Sequence, residues 1–341
     1  MNNTTSCRYA PLCGCAFKRL LGGEISPDSS GETVQIVGGS GGRLSVSRIA
    51  QPPRRGGQAM NEYQLTELAS GFIFPEGLRW RDGQLWMSDM WGDACYHLSA
   101  SGEKQVICKV PHRPSGIGFL PDGVPLVVSM TDRKLMKLVD GELQLYADLS
   151  NVATGELNDI MVDSAGRAYV GNFGYDLFGG AEAETANIAM VTQDGAISVV
   201  ADDLVFPNGM VLIDEGRTFV VSETFANRLT AYDVDADGKL ANRRVYLDLG
   251  ERTPDGLCVD AQDGIWVSSF ATGEFLRVTR EGVISDHIAC GDKRAVACAL
   301  GGADGRTLFC STFGGHLEDM AARKPLGAIE TVRVEVPGAG F

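Results

Sequence analysis

A short pattern returns six times along the chain, and its period restricts the fold more than any other feature. The copies are Pro75-Glu76-Gly77, Pro114-Ser115-Gly116, Leu157-Asn158-Asp159, Pro207-Asn208-Gly209, Pro254-Asp255-Gly256 and a degenerate Val296-Ala297-Cys298. Each leads into an apolar stretch, a turn rich in Asp and Gly such as Arg81-Asp82-Gly83 or Gln262-Asp263-Gly264, and a second apolar stretch. The central residues lie 39, 43, 50, 47 and 42 positions apart. Units of about 40–50 residues with hairpin signals are the blades of a β-propeller. The expected fold is therefore all-β, a six-bladed β-propeller over residues 61–341.

The second apolar stretches should be equivalent strands, one per blade: Leu85-Trp86-Met87, Leu126-Val127-Val128, Ala168-Tyr169-Val170, Phe219-Val220-Val221, Ile265-Trp266-Val267 and Leu308-Phe309-Cys310. They are rich in β-branched and aromatic residues. A closed ring needs both chain ends in one blade. The alternating segment 328–334 and residues 62–73 are the expected partners. Residues 171–187 and 312–326 interrupt blades three and six as long loops, the usual place for lids and binding surfaces.

Residues 1–60 lack the repeat and are rich in Gly, Ser, Pro and Arg, with seven Lys or Arg against three Asp or Glu. They are expected to form a disordered extension. The whole chain carries a net charge of −14, which argues against nucleic acid and anionic membranes as partners. No apolar run reaches the ~18 residues of a membrane span. The nine cysteines form no Cys-x-x-Cys pair and no secretory leader is evident. Free thiols and a cytoplasmic location are expected. The oligomeric state is left open.

Polar residues repeated at one structural position meet where all blades meet, at the central channel. The ring reads Glu76, Ser115, Asn158, Asn208, Asp255 and Ala297. Two carboxylates and two amide carbonyls, with no His or Cys, suit a hard cation. One divalent cation is expected in the channel. Ca²⁺ fits best because it accepts 6–8 oxygens in irregular geometry; Mg²⁺, Mn²⁺ and Zn²⁺ are the alternatives.

These motifs, Phe74-Pro75-Glu76-Gly77, Leu157-Asn158-Asp159, Phe206-Pro207-Asn208-Gly209-Met210 and Pro254-Asp255-Gly256-Leu257, with Val336-Pro337-Gly338-Ala339-Gly340 at the end, resemble those of the SMP-30/gluconolactonase/luciferin-regenerating-enzyme (regucalcin-like) family. The resemblance spans roughly residues 72–340. It implies a six-bladed propeller with one divalent metal, held by Glu76, Asn208 and Asp255, with Asn158 completing the site or holding substrate. It implies Asp255 as ligand and candidate general base, and hydrolysis of a sugar lactone to an aldonic acid. Glu156 stands where the gluconolactonase pattern has an Arg that contacts sugar hydroxyls. An acid cannot reproduce that donor fork, so the identity of the sugar is open. Two alternatives remain: another lactone or ester hydrolase on the same site, and a non-catalytic calcium-binding propeller.

Asn172 and Glu223, with Glu156, are the further candidates for the substrate pocket, since loops at a channel mouth commonly bind ligands. Three weaker signals are read as structural. Gly38-Gly39-Ser40-Gly41-Gly42 lacks the strand–turn–helix setting of a nucleophile elbow. Asp233, Asp235, Asp237 and Gly238 resemble the start of a calcium loop, but Arg244 occupies the twelfth position, so a hairpin turn is expected. No two of His97, His112, His287 and His316 are spaced as a metal pair.

Overall fold

A computed structural model describes residues 63–340. The expectations for residues 1–60, including disorder, lie outside this range. The chain forms six sheets of four antiparallel strands around one axis. The first strand, β1 (Thr66–Phe72), belongs to the last blade. Blade one holds β2 (Pro75–Arg81), β3 (Gln84–Asp89), β4 (Ala94–Leu98) and β5 (Lys104–Lys109). Blade two holds β6 (Pro114–Phe119), β7 (Pro125–Ser129), β8 (Lys134–Val139) and β9 (Glu142–Asp148). Blade three holds β10 (Leu157–Val162), β11 (Ala168–Asn172), β12 (Ala186–Val191) and β13 (Ile197–Leu204). Blade four holds β14 (Pro207–Ile213), β15 (Thr218–Glu223), β16 (Arg228–Val234) and β17 (Leu240–Asp248). Blade five holds β18 (Pro254–Val259), β19 (Ile265–Ser269), β20 (Glu274–Val278) and β21 (Ile284–Ala289). Blade six holds β22 (Arg294–Gly301), β23 (Thr307–Phe313) and β24 (Gly327–Arg333), completed by β1.

The six apolar triplets all fall on the second strand of a blade, as their composition predicts. Ring closure also follows the expectation. β1 pairs antiparallel with β24, from Thr66 opposite Thr331 to Phe72 opposite Gly327. The first and last described strands are thereby joined in one sheet, with β1 as its outer strand and β24 paired on both sides. Asp235 lies in the turn between β16 and β17, where its carboxylate accepts the amides of Asp237 and Lys239, so the calcium-like run is a hairpin turn. The six described cysteines are free thiols. No described helix is long and apolar enough to cross a membrane.

The recurring triplet has a specific structural cause. Each innermost strand slips register against its neighbour at the motif, between Glu76 and Arg79, Pro114 and Ile117, Leu157 and Ile160, Pro207 and Met210, Pro254 and Leu257, and Ala295 and Ala297. Such irregularities re-aim side chains. The following glycine allows adjacent inner strands to approach. A Cβ on Gly209 would lie 2.5 Å from the Leu257 amide nitrogen and 2.7 Å from the Asp255 carbonyl oxygen. One on Gly77 would lie 2.7 Å from the Ser115 carbonyl oxygen.

Hydroxyls on the second strands then tie neighbouring motifs together. Ser88 donates to the Ser115 carbonyl at 2.5 Å, and Ser268 to the carbonyls of Gly256 and Val296 at 2.9 and 2.7 Å. Ser311 donates to the Pro75 carbonyl, bridging blade six to blade one. We expect Gly209→Ala to lower the unfolding free energy by about 1–3 kcal/mol, the usual range for overpacking a close-packed interior. The readout is the urea midpoint at constant m-value, and an unshifted midpoint would contradict this packing.

Candidate active site

The inner strands carry Glu76, Ser115, Asn158, Asn208 and Asp255 to the same level of the axis, each just before or within its register slip. Glu76, Ser115, Asn208 and Asp255 line one small cavity of about 10 Å³, together with Arg79 and Asp159. That is room for a single water or a bare cation. Asn158 lies beside it, accepting from Ser115 Oγ at 3.3 Å and donating to the Pro207 carbonyl at 3.2 Å. Asn208 Nδ2 faces Thr224 Oγ1 at 3.4 Å, and Thr224 in turn donates to the Pro254 carbonyl at 2.7 Å.

The electrostatics of this cavity are unfavourable for the protein alone. Burial pushes the Glu76 carboxyl well above the usual carboxylate range, and the nearby Asp255 charge adds to it; a hydrogen bond from Ser115 opposes the rise. Asp255 keeps some surface open to the channel. Desolvation nevertheless raises it strongly too, with the Asp159 charge acting in the same direction. Among the described residues, Glu76 Oε1 is buried without a hydrogen-bond partner. No group of three or more described His, Cys, Asp or Glu side chains is gathered for a metal. The set here differs: two carboxylates with amide and hydroxyl oxygens. An orphaned carboxylate oxygen facing a second buried acid is the chemistry that a hard cation would relieve, so the residues fit such an ion.

Two neighbours were not singled out from sequence. Arg79 Nη2 contacts Asp159 Oδ1 at 3.1 Å and donates to the Ile160 carbonyl at 2.6 Å. Arg79 also lines a second, mainly apolar cavity of about 630 Å³ among the distal halves of the inner strands. The repeat pattern marked the position of Asp159 but not its partner, because the partner comes from a strand two blades away.

A second set of residues shapes the mouth. The last residue of the second strand hydrogen-bonds the backbone just ahead of the motif in four blades. Asp89 accepts from the Ile73 and Phe74 amides, at 2.8 Å for Phe74. Asn172 accepts from Gly155 at 3.1 Å, Glu223 from Val205 at 2.8 Å, and Ser269 from Thr253 at 3.2 Å.

The structure thus gives Asn172 and Glu223, expected at the substrate pocket, a different task. The remaining groups of Asn172 bind Thr154, Gly174 and Asn187. Glu223 is fully buried and accepts from Thr230, Arg228 and Arg243. Burial pushes its carboxyl up, but the Thr230 hydroxyl, the Val205 amide and the two guanidiniums outweigh it and hold the carboxyl below its ordinary value. Neither residue lines the cavity at Glu76.

Glu156, two residues before Asn158, is at the mouth and paired with Arg113 at 3.1 Å. Burial raises its carboxyl, Arg113 lowers it, and Asp176 raises it. Arg113 precedes Pro114 as Phe206 precedes Pro207, and both have left-handed backbone, at φ 61° and 56°. That conformation is uncommon for bulky residues and tends to cluster at functional sites. Around them stand Phe173, stacked on Phe206 at 4.5 Å, and Phe178, edge-on to Trp91 at 5.2 Å. The blade-six loop contributes a short helix, α1 (Leu317–Ala321), whose Met320 is buried in the same apolar cluster. His316 caps α1 and is exposed.

Residues 74–314 match the model of the SMP-30/gluconolactonase/LRE-like region. Regucalcin of Danio rerio is 27% identical over 67% of this chain and 75% of its own length. The 6-deoxy-6-sulfogluconolactonase of Pseudomonas putida is 24% identical over 76% and 89%. Among solved structures, a calcium-binding regucalcin from Agrobacterium tumefaciens superposes with a TM-score of 0.69 at 24% identity, over 82% of this chain and 95% of that one.

The two raised carboxyls generate a pH prediction for the metal-free protein. Their folded pKa values exceed the unfolded value of about 4. Their contribution to stability is therefore complete below about pH 4 and lost as pH rises through the raised values. In chelator-treated protein, Asp255→Asn should raise the melting temperature more at pH 8 than at pH 5. An equal shift at both pH values would contradict the burial of these acids.

Proposed function

The chain belongs to the SMP-30/gluconolactonase/LRE-like family, and from that premise we propose that it is a divalent-cation-dependent lactone hydrolase acting on a sugar lactone. One observation carries the reading: the buried Glu76 and the partly buried Asp255 line one small cavity with Asn208 at the propeller axis, and Glu76 Oε1 is unpartnered among the described residues. Glu76, Asn208 and Asp255 would hold the cation, most simply Ca²⁺, with Asn158 completing the site or orienting substrate. When bound, that ion supplies Lewis-acid polarisation of an ester carbonyl and lowers the pKa of a bound water.

The protein's own part is positional. The inner strands fix the acids, and the ties through Ser88, Thr224 and Ser268 hold the strands in register. Water adds to the lactone carbonyl carbon, the bond from that carbon to the ring oxygen breaks, and the ring oxygen takes up a proton to give a hydroxy acid. The Asp255 carboxylate is the group placed to receive the proton of the attacking water. A carboxylate engaged by a cation is a weakened base, so its first role is as ligand. In this reading the substrate enters from the mouth carrying Glu156, where polar and aromatic side chains gather, rather than from the mainly apolar cavity that Arg79 lines on the other side. Glu156 in the place of an Arg favours a second reading in which the same centre opens a lactone or ester other than gluconolactone.

The test uses chelator-stripped full-length protein and measures acid release from glucono-δ-lactone and other lactones. Ca²⁺, Mg²⁺, Mn²⁺ or Zn²⁺ is restored one at a time. Metal-dependent turnover that falls at least about 100-fold in Asp255→Ala is expected, in line with losing a ligand and proton acceptor together. Hydrolysis at the spontaneous rate with every lactone, while Ca²⁺ still binds, would leave a non-catalytic calcium-binding propeller instead.

A further inference from the structure

The mouth of the channel holds three buried polar atoms that no described residue satisfies: Trp91 Nε1, Arg113 Nη1 and Glu156 Oε2. They belong to one cluster. Arg113 Nη2 donates to Glu156 Oε1 at 3.1 Å. The Arg113 guanidinium lies over the Trp91 ring at 4.6 Å and over the Phe178 ring at 5.1 Å. The ion pair uses one nitrogen of the guanidinium fork and one carboxylate oxygen, leaving a second donor and a second acceptor side by side. The indole adds another donor. Buried donors and acceptors left without partners are costly, so each one in a native fold calls for an explanation.

The position of the cluster supplies that explanation. Arg113 and Glu156 lie two residues before Ser115 and Asn158, in adjacent blades, one level above the ring that lines the axis. Arg113 is held there in left-handed backbone, at φ 61°. Phe178, itself partly exposed, lies against the Arg113 guanidinium on a loop that continues into the exposed Gly179 and Gly180.

The chemistry of the three atoms selects a ligand. A hydroxyl can accept from Arg113 Nη1 or Trp91 Nε1 and donate to Glu156 Oε2 at once. The carbon face of a ring can lie against the aromatic faces of Trp91 and Phe178. The ion pair has no net charge, and an anionic substituent would meet the Glu156 carboxylate. Building on the lactonase reading, we propose that Trp91, Arg113 and Glu156 form a hydroxyl-recognition subsite for the ring of a neutral, polyhydroxylated lactone. The Arg fork absent from position 156 is supplied by the preceding blade. Arg113 and Glu156 are specificity residues here, and the chemistry remains with the ring below.

The experiment compares full-length wild type, Arg113→Met and Glu156→Gln, loaded with the activating cation, on glucono-δ-lactone and on δ-valerolactone, the same ring without hydroxyls. The ratio of kcat/KM between the two substrates should fall at least about tenfold in Arg113→Met, mainly through KM for glucono-δ-lactone, because a site built to bind hydroxyls discriminates through them. A merely structural pair would depress both substrates alike and leave the ratio unchanged, which would overturn the proposal. Calorimetry with 1,5-anhydroglucitol, a hydroxylated ring that cannot be hydrolysed, tests the subsite independently of turnover. Binding to wild type that is lost in Arg113→Met supports it even if no lactone is opened, in which case only the lactonase reading fails. No binding to wild type in the millimolar range counts against the subsite even if lactones are hydrolysed.

Discussion

Close approach of the six inner strands at the axis is the constraint on which the rest of the molecule depends. A Cβ at several motif glycines would stand under 3 Å from the backbone of the next blade. The sheets therefore converge until little more than a water-sized space remains between Glu76, Ser115, Asn208 and Asp255. The convergence removes solvent from two carboxylates and forces them into one electrostatic environment. Ordinary packing would select against such an arrangement, since unpaired buried acids destabilise a fold. A hard cation held there would convert the same geometry into a favourable one. The stability of the propeller and the readiness of the site thus pull in opposite directions at the same few atoms.

Much of this was legible from spacing. The triplet period identified six blades, the polar centres identified the ring, and the alternating C-terminal segment identified closure through β1 and β24. Each signal is carried by residues repeating at equivalent positions, which sequence can register. The sequence was less informative where a residue's task depends on a partner in another blade. Asn172 and Glu223 look like pocket residues because Asn172 opens the blade-three loop and Glu223 ends the blade-four strand, both at the expected channel mouth. Their role in tying the loop ahead of each motif emerges only when Asp89 and Ser269 are seen making the same bond. The signal was present as a polar residue closing five of the second strands, but nothing in one dimension aims four of them at the backbone ahead of the motif and Ser129 at Asp132. Arg79 with Asp159, and Arg113 with Glu156, are separated by 80 and 43 residues.

The channel is also polarised from end to end. On one side of the acids stand Arg113, Glu156 and the aromatic side chains of the mouth. On the other lies a wide and mainly apolar cavity, which Arg79 also lines. Among the described residues, Arg79 is the only cationic side chain lining the small cavity, and its charge is engaged by Asp159 and by the Ile160 and Leu78 carbonyls. It cannot neutralise Glu76 and Asp255 without abandoning those bonds. Asp159 itself raises both acids rather than helping them. The described residues thus leave an excess of negative charge on the axis with no free side-chain counterion among them, which is the condition under which an added cation would gain the most.

Backbone strain is distributed with the same logic. Arg113 and Phe206 both adopt left-handed conformations immediately before a proline. A non-glycine residue in that region costs of order 1–3 kcal/mol and persists only where surrounding contacts enforce it. For Phe206 those contacts are visible as stacking on Phe173 and packing against Phe225. For Arg113 they are the Glu156 pair and the two aromatic faces. Both residues stand directly above inner-strand positions that line the small cavity, Ser115 and Asn208. The rim is held at these two points by its own side-chain contacts, so whatever enters the mouth meets a surface already shaped by them.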